Sequence, residues 1–345
     1  MIEDEDYWHA DDILSRNAMF NMVIGGRGCG KTYDCVRRCI RRARRSYALT
    51  GCAEQFIYLR RYKSELDDRK LFFSAVKHEF PTLEFKVEGW SGYFRKAGND
   101  DAEWIALCHF IPLSTALTKK SVPYPDVKTI VFDEFIIDKG AIRYLPNECK
   151  CFLDFYNTVD RFEDRVRVLM LANAVSVANP YFFYYDIRPR DGARFQRYMD
   201  GYLIVENVKA DNYAKTVAQT RFGKMIANTS YYDYAVDNKY ADDDEKLIMS
   251  KTERATYSYG IRWGDKVLGV WIDSSAGLYF VTERTVEDVK PFVLVKEDMQ
   301  PNSIMLDRTH PLLRGLRKVF TYGIVRFDSV RTRALFFDIM RQTGL

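Results

Sequence analysis

One stretch decides the fold: Gly25-Gly26-Arg27-Gly28-Cys29-Gly30-Lys31-Thr32, a complete Walker A pattern. The mainly apolar residues 20–24 before it predict a short buried strand, and a helix is predicted after it to about Arg45. The glycines let backbone N–H groups face a phosphate, and the helix N-terminus adds its positive dipole end. We therefore predict that the loop binds ATP, that Lys31 reaches the β- and γ-phosphates, and that Thr32 holds Mg²⁺.

An acidic pair at the end of a second apolar strand completes the phosphate site. Residues 127–132 predict this strand, and Asp133-Glu134 follow it directly. Such a pair alone is also a common helix N-cap, but the upstream Walker A motif favours Asp133 as a Mg²⁺ ligand and Glu134 as general base. The adjacent glutamate indicates an additional-strand, catalytic-glutamate ATPase with a RecA-like parallel sheet, unlike small kinases and Ras-like GTPases.

Further polar residues are candidates for contacts with the γ-phosphate. Asn173 follows the next buried strand and is predicted to be a polar sensor. Arg161, at the exit of a helix predicted over 147–160 with a cap at Asn147, is the preferred arginine finger acting on a neighbouring subunit. Lys120 in the Lys119-Lys120 pair is the next candidate. Arg27 is a candidate to sense nucleotide in its own subunit, whereas Arg165 and Arg167 fit a solvated or ion-paired edge.

A basic segment after the second predicted strand is a candidate for contact with DNA. Arg60, Arg61 and Lys63 follow a strand predicted over 55–60. Contacts from such a loop to phosphates need no base readout and suit a sequence-independent grip on a duplex. The arginines that stud the helix after the Walker A motif fit a solvated face instead, because that helix packs on the sheet.

Strands alternating with helices predict a parallel α/β domain over residues 1–208. Apolar patterning fades after about Asn212, so residues 209–248 are predicted to be a linker or small connecting subdomain. Residues 249–345 predict a smaller α+β domain with strands over 255–263, 266–272 and 278–282, followed by two helices. We also predict a helix from Leu66 to about His78.

Composition excludes several classes of protein. Lys plus Arg number 52 against 48 Asp plus Glu, so the net charge of +4 is too mild to indicate nucleic-acid binding by itself. The seven scattered cysteines predict reduced thiols in a cytosol rather than a disulfide framework or a zinc site. No long apolar run is present, and the acidic first residues do not resemble a signal peptide, so we expect no membrane association.

Taken together, these motifs make the chain resemble the DNA-packaging ATPases of phi29-like bacteriophages. The longer strings are specific to that family, the phosphate-site motifs are generic, and together they span nearly the whole chain. The strings lie at residues 56–63 (FIYLRRYK), 129–135 (TIVFDEF), 173–177 (NAVSV), 179–182 (NPYF), 222–224 (FGK) and 268–271 (LGVW).

The resemblance implies a ring of five subunits on the portal vertex of a procapsid, where ATP hydrolysis drives double-stranded DNA into the shell. It implies contact with the portal connector and, in some phages, a packaging RNA, all in the host cytoplasm during assembly and not in the mature virion. It also implies an RNase H-like C-terminal domain. The first predicted strand there, residues 257–263, carries no Asp or Glu, so only Asp273, Asp328 and Asp338 remain and the domain is expected to be non-catalytic.

Two alternatives stay open at this point. One is a helicase-like or FtsK/HerA-like DNA motor without a capsid role. The other is an assembly scaffold that ATP switches without DNA movement, and Glu134 counts against it because a switch needs no fast general base. Stimulation of ATP turnover by procapsids with portal separates the packaging motor from the other motors.

Overall fold

The computed structural model describes residues 7–116, 123–137, 144–145, 147–173, 179–185, 187, 193–208, 211–227, 229, 247–307 and 310–342. The chain divides into two compact units. The first comprises Met1–Ser176 and Pro180–Ala241, and the second comprises Val177–Asn179 and Asp242–Leu345. No helix in the described part of the chain combines the length and apolar character needed to cross a bilayer.

The first unit contains one nine-stranded sheet, ordered β3-β4-β5-β2-β6-β7-β1-β9-β8. In chain order the strands are β1 (Phe20–Ile24), β2 (Gln55–Arg60), β3 (Leu83–Glu88), β4 (Ser91–Lys96), β5 (Ile105–Pro112), β6 (Val127–Asp133), β7 (Arg167–Ala172), β8 (Phe195–Tyr198) and β9 (Leu203–Asn207). Six neighbouring strands of this order, β5, β2, β6, β7, β1 and β9, pair in parallel. Antiparallel strands extend both edges, which the prediction of a purely parallel sheet missed.

The helices in the described part of the first unit vary from about one turn to about five turns in length. They are α1 (Ala10–Leu14), α2 (Lys31–Thr50), α3 (Leu113–Ala116), α4 (Glu148–Asp160), α5 (Pro180–Tyr184), α6 (Asp211–Gln219) and α7 (Arg221–Ile226). Helix α2 buries Cys35, Ile40 and Ala43 along one face, and β1 and most of β6 are buried as apolar runs, as expected for strands covered on both faces.

The order of the strands identifies the additional-strand class of P-loop fold. Strand β7 lies between β1, which leads into the Walker A loop, and β6, which ends at Asp133. This inserted strand is the feature that the Asp133-Glu134 pair predicted, and the predicted α/β class is confirmed. Because β1, β6 and β7 are parallel, their carboxyl ends meet at one edge of the sheet, where ligands bind in open α/β folds.

The second unit contains a six-stranded sheet, ordered β14-β13-β10-β11-β12-β15. The strands are β10 (Thr256–Trp263), β11 (Lys266–Asp273), β12 (Leu278–Thr282), β13 (Phe292–Val293), β14 (Ile304–Met305) and β15 (Val325–Phe327), and two helices, α8 (Pro311–Thr321) and α9 (Val330–Gln342), accompany them. The antiparallel meander β10-β11-β12 agrees with the strands predicted from sequence. A smaller α+β domain is therefore confirmed.

Some local predictions were wrong. Asn147 precedes α4 in a left-handed conformation and its side chain makes no capping hydrogen bond, so the predicted cap is absent. Lys63–Ala75 and Lys77–Glu79 form 3₁₀ turns rather than one α-helix. The helices α6 and α7 occupy part of the predicted linker, 209–248, and the two-unit division groups residues up to Ala241 with the first unit. The two predicted domain boundaries, after residues 208 and 248, stay predictions.

Candidate nucleotide-binding site

The phosphate loop follows β1 directly and ends in the first turn of α2. Gly28 and Gly30 have φ angles of 82° and 90°, a left-handed conformation that costs glycine little and other residues more. The N–H of Gly25 donates to the carbonyl of Ala172 at the end of β7, which fixes the start of the loop to the sheet. The loop is therefore preformed at the edge where the parallel strands end.

The Lys31 ammonium lies within this loop. It donates to the carbonyl oxygens of Gly25 and Gly26 at 2.9 and 2.8 Å, and it lies 3.3 Å from Oδ1 of Asn173. Strand ends that are far apart in sequence thus place the predicted phosphate ligand and the predicted sensor side by side. The pair can report on a γ-phosphate because one group bound between them would contact both.

Asp133 joins the two Walker motifs. Its Oδ2 accepts hydrogen bonds from the Thr32 hydroxyl at 3.0 Å and from the Tyr58 hydroxyl at 2.7 Å. Burial and the Asp133 carboxylate raise the pKa of Tyr58 well above its usual value, so its hydroxyl remains a donor. A hydroxyl and a carboxylate 3.0 Å apart are the hard oxygen ligands that Mg²⁺ prefers, so the predicted metal pair, Thr32 and Asp133, fits the ion.

Glu134 lies beside this pair and is held by an arginine. Its backbone is left-handed, with a φ of 55°, and half of its side chain is exposed, 51 %. Its Oε2 accepts from Nη2 of Arg60 at 2.7 Å, and the same nitrogen donates to Glu65 at 2.8 Å. Burial disfavours the Arg60 charge, but the carboxylates of Asp133 and Glu134 outweigh it and raise the pKa of Arg60, so it stays charged.

Arg61 is buried in a second ion pair below the site. The guanidinium donates to Oε2 and Oε1 of Glu148 at 2.7 and 2.9 Å, and both side chains are 0 % exposed. It also donates to the carbonyl oxygens of Glu134 and Phe135, at 3.2 and 2.7 Å. Arg61 therefore fixes the main chain that carries the predicted general base.

The predicted DNA contacts at Arg60 and Arg61 are wrong for this conformation. Arg60 is 13 % exposed and its guanidinium is occupied by carboxylates, and Arg61 has no exposed surface. A long cation cannot neutralise a phosphate in solvent while it is buried against carboxylates. Lys63 alone is exposed, 5.8 Å above the Trp90 ring, and stays a predicted DNA contact.

Arg161 lies at the opposite end of β7 from the nucleotide site. It terminates α4 in a left-handed conformation and is exposed, as is the adjoining Phe162 at 90 %. The Asp160 carboxylate accepts from the N–H groups of Asp164, Arg165 and Val166, so the loop is held firmly. Six residues of β7 separate this loop from Asn173, about 20 Å at 3.3 Å per residue, so Arg161 cannot reach its own nucleotide.

The structure describes three of the other predicted basic residues and leaves two outside the described part of the chain. Arg27, within the phosphate loop, is exposed. Arg165 and Arg167 pair with Glu163 and Asp164, as predicted for an ion-paired edge. Lys119 and Lys120 lie outside the described residues.

Sequence reasoning missed Tyr58, Glu65 and Glu148 as parts of the site. Tyr58 is an inward residue of β2, and a polar hydroxyl in a strand adjacent to β6 is the only local signal for its role. Glu65 and Glu148 lack any motif, since each is defined by the arginine that the folded chain brings to it.

In the second unit, two of the three aspartates singled out from the sequence, Asp273 and Asp328, accept hydrogen bonds that hold local structure. Asp273 accepts from the N–H groups of Ser275 and Ala276, and hydrogen bonds led by the Ser275 hydroxyl hold its pKa below the usual range. Asp328 accepts from Thr332 and from the N–H of Glu283. No group of three potential ligands for a metal ion occurs among the described residues, and none of β10 is acidic.

The fold and site define a P-loop protein of the additional-strand, catalytic-glutamate class. More particularly, the chain belongs to the podovirus DNA encapsidation protein (Gp16) family, whose family model matches residues 2–345. It is 33 % identical over 339 residues to the DNA packaging protein of Bacillus phage phi29, covering 97 % of each chain. It is 31 % identical over 335 residues to that of Bacillus phage B103, covering 96 % of this chain and 99 % of the relative.

Solved structures agree over the full length. A chain of the bacteriophage phi29 genome packaging motor assembly superposes with a TM-score of 0.73 at 31 % identity, covering 98 % of this chain and 99 % of that one. A chain of the Phi-28 gp11 DNA packaging motor has a TM-score of 0.68 at 20 % identity, covering 99 % and 98 %, and it supports the fold alone.

Proposed function

We propose that this protein hydrolyses ATP with Mg²⁺ and uses the energy to move double-stranded viral DNA into a procapsid. The observation that carries the proposal is the meeting of Thr32, Asp133 and Glu134 beside a preformed phosphate loop. Membership of the Gp16 family and full-length similarity to phage packaging motors support the DNA and capsid parts. A switch-like scaffold would not need the exposed carboxylate of Glu134 next to the Mg²⁺ ligands.

The residues divide the chemistry between them. The backbone N–H groups of residues 25–32 and the Lys31 ammonium bind the phosphates, and Thr32 and Asp133 would hold Mg²⁺, which would supply positive charge against the phosphates. Glu134 accepts a proton from the attacking water, with its carboxylate oriented by Arg60. Asn173 contacts the γ-phosphate beside Lys31 and senses its loss.

The active form in this proposal is a homo-oligomeric ring of five subunits on the portal vertex. The position of Arg161 supports a ring because the side chain is exposed, held on a firm loop, and too far from its own nucleotide to act there. Lys120 is the alternative residue for contacting a neighbour's nucleotide. The proposed partners are the portal connector and, in some phages, a packaging RNA, and the proposed location is the host cytoplasm.

The test combines turnover and packaging. Purified procapsids with portal should stimulate ATP hydrolysis, and DNA should become protected from nuclease. Glu134→Gln should lose turnover by about 10²–10⁴, and Arg161→Ala should lose roughly 10³–10⁵, because a fixed guanidinium meets charge that develops only in the transition state.

Mixing the two variants separates a trans role from a structural one. Glu134→Gln subunits still offer Arg161 to an intact neighbour, so ATP turnover should reappear in mixed rings. A mixture that co-assembles but stays as inactive as its components would exclude Arg161 as the trans finger and make Lys120 the better candidate. If procapsids and DNA leave the turnover of the parent unchanged, the packaging function is wrong.

A further inference from the structure

The Asp133 carboxylate accepts hydrogen bonds from three donors that differ in what else they do. Its Oδ2 accepts from the Thr32 hydroxyl at 3.0 Å and from the Tyr58 hydroxyl at 2.7 Å, and its Oδ1 accepts from the N–H of Glu134 at 3.1 Å. Thr32 is itself a proposed Mg²⁺ ligand, and the N–H of Glu134 belongs to the next residue of the main chain. Of these three donors, the Tyr58 hydroxyl alone comes from another strand and is not a proposed ligand.

Strand pairing places this tyrosine beside the end of β6. Strand β2 runs parallel to β6, and Tyr58 pairs in register with Val131, two residues before Asp133. Two residues of a strand span about 6.6 Å, and side chains in strands lean along the strand direction. A long side chain is therefore needed to bring a hydroxyl from this position to Asp133, and a serine or threonine hydroxyl would fall short.

The tyrosine ring is held by its aromatic neighbours. Tyr58 is 8 % exposed, and the centre of its ring lies 4.6 Å from that of Phe72 and 6.2 Å from that of Phe110. Phe110 belongs to β5, on the other side of β2 from β6, and Phe72 belongs to the 3₁₀ segment Lys63–Ala75. A phenylalanine at position 58 would fill the same space, so the packing needs the ring and only Asp133 needs the hydroxyl.

An oriented carboxylate binds a metal ion more tightly than one that is free to rotate. An oriented side chain has less conformational freedom to lose when the ion binds, and hydrogen bonds to ligating carboxylates commonly provide that orientation. Loss of such a contact typically lowers metal affinity by about 10–100-fold.

We propose that Tyr58 is a positioning residue that sets the Mg²⁺ affinity of the site by holding Asp133 beside Thr32. The inference rests on the proposed ATP hydrolysis and adds to it a residue that lies outside both Walker motifs. In this role Tyr58 contacts neither the phosphates nor the ion, and its effect passes through Asp133.

The test measures metal affinity directly, on the full-length protein, with Mn²⁺, which oxygen ligands accept as they accept Mg²⁺. Mn²⁺ is titrated into protein held in excess over ADP, and electron paramagnetic resonance measures the free ion. Tyr58→Phe should lower the Mn²⁺ affinity by about 10–100-fold. ADP affinity measured in EDTA should equal that of the parent, because the phosphate loop is unchanged. ATP turnover should need more Mg²⁺ to reach half of its maximum and should recover at saturating Mg²⁺.

Two further variants separate this role from a general loss of structure. Tyr156→Phe is the matched control, because it removes a hydroxyl that donates to the carbonyl of Val166, just before the amino end of β7. It should leave the affinities for Mn²⁺ and ADP as they are in the parent. In an Asp133→Ala background, Tyr58→Phe should have no further effect on Mn²⁺ affinity, since the hydroxyl has no carboxylate left to hold.

The other outcomes would overturn the inference in different ways. Equal Mn²⁺ affinity in Tyr58→Phe and the parent would refute the positioning role and leave the proposed hydrolysis intact. An equal loss of ADP affinity in EDTA, or an equal loss of Mn²⁺ affinity in Tyr156→Phe, would refute it too, because the hydroxyl would then support the fold in general. If the parent binds no Mn²⁺ in the presence of ADP, the proposed function and this inference fail together.

Discussion

Removing the Arg61 guanidinium should destabilise the first unit more than any exposed ion pair could. Arg61→Met deletes four hydrogen bonds, two to Glu148 and one each to the carbonyls of Glu134 and Phe135. The Glu148 carboxylate then stays buried with only the Tyr181 hydroxyl and the N–H of Leu145 as partners among the described contacts. Breaking one side of a buried pair costs about 3–5 kcal/mol.

That loss can be measured by calorimetry of the full-length protein. At about 2–4 °C per kcal/mol for a unit of this size, the melting temperature should fall by about 6–20 °C. The relevant transition is the one that Mg·ATP raises, because only the first unit carries the phosphate loop. Arg41→Met is the matched control, since Arg41 pairs with Glu79 at the surface and such pairs contribute about 0–1 kcal/mol.

A double-mutant cycle decides whether the pair is responsible. In Arg61→Met combined with Glu148→Leu no charge is left buried alone, so the loss should be smaller than the sum of the single losses by about 2 kcal/mol. Additive losses would refute the reasoning and indicate that Arg61 acts only through packing. Well below the melting transition, Arg61→Met should also turn over ATP more slowly at unchanged ATP affinity, because the main chain of Glu134 loses its anchor.

The remaining predictions concern separate parts of the chain. Lys31→Ala should lose ATP binding, whereas Glu134→Gln should keep binding and lose turnover, and equal loss of binding in both would contradict the assigned roles. Lys63→Ala should reduce the log–log salt slope of DNA binding by about 0.9, and an unchanged slope would place the contact elsewhere. The full-length protein with Mg²⁺ or Mn²⁺ should not nick DNA, because β10 lacks an acidic residue. Iodoacetamide should label the exposed Cys52 and spare Cys39, whose pKa burial raises to about 12, as peptide mass spectrometry can check.

Local sequence was sufficient to predict the nucleotide-site residues that lie at the ends of strands or in the phosphate loop. The Walker A motif, the strand ending at Asp133 and the strand ending at Asn173 each carry their own signal, and parallel pairing brings their ends together by rule. The contact between Lys31 and Asn173 spans 142 positions, yet it follows from that geometry alone.

The same reasoning failed where a charge is defined by a distant partner. Arg60 and Arg61 are adjacent in sequence and look alike, but pleating sends them to different carboxylates, Glu134 for one and Glu148 for the other. Glu148, the partner of Arg61, carries no sequence motif that would reveal its role. A basic run after a strand thus predicts positive charge at a sheet edge. Whether each basic side chain is exposed to solvent or paired with a carboxylate depends on residues that are distant in sequence.

For Arg161 the folded chain supplies the physical argument for a prediction made from sequence, namely that this arginine acts on the nucleotide of a neighbouring subunit. Sequence placed it at a helix exit, and the structure adds that the exit lies at the amino end of β7, about 20 Å from Asn173 at the carboxyl end. A cation fixed there contributes nothing to its own γ-phosphate, because the charge that develops during hydrolysis is screened over such a distance. On this loop, which the Asp160 carboxylate holds, the exposed Arg161 side chain could act on a nucleotide only if another subunit presented one to that surface, as proposed above. In the proposed ring mechanism, a monomer would therefore keep its phosphate loop and Glu134 and should hydrolyse ATP only slowly.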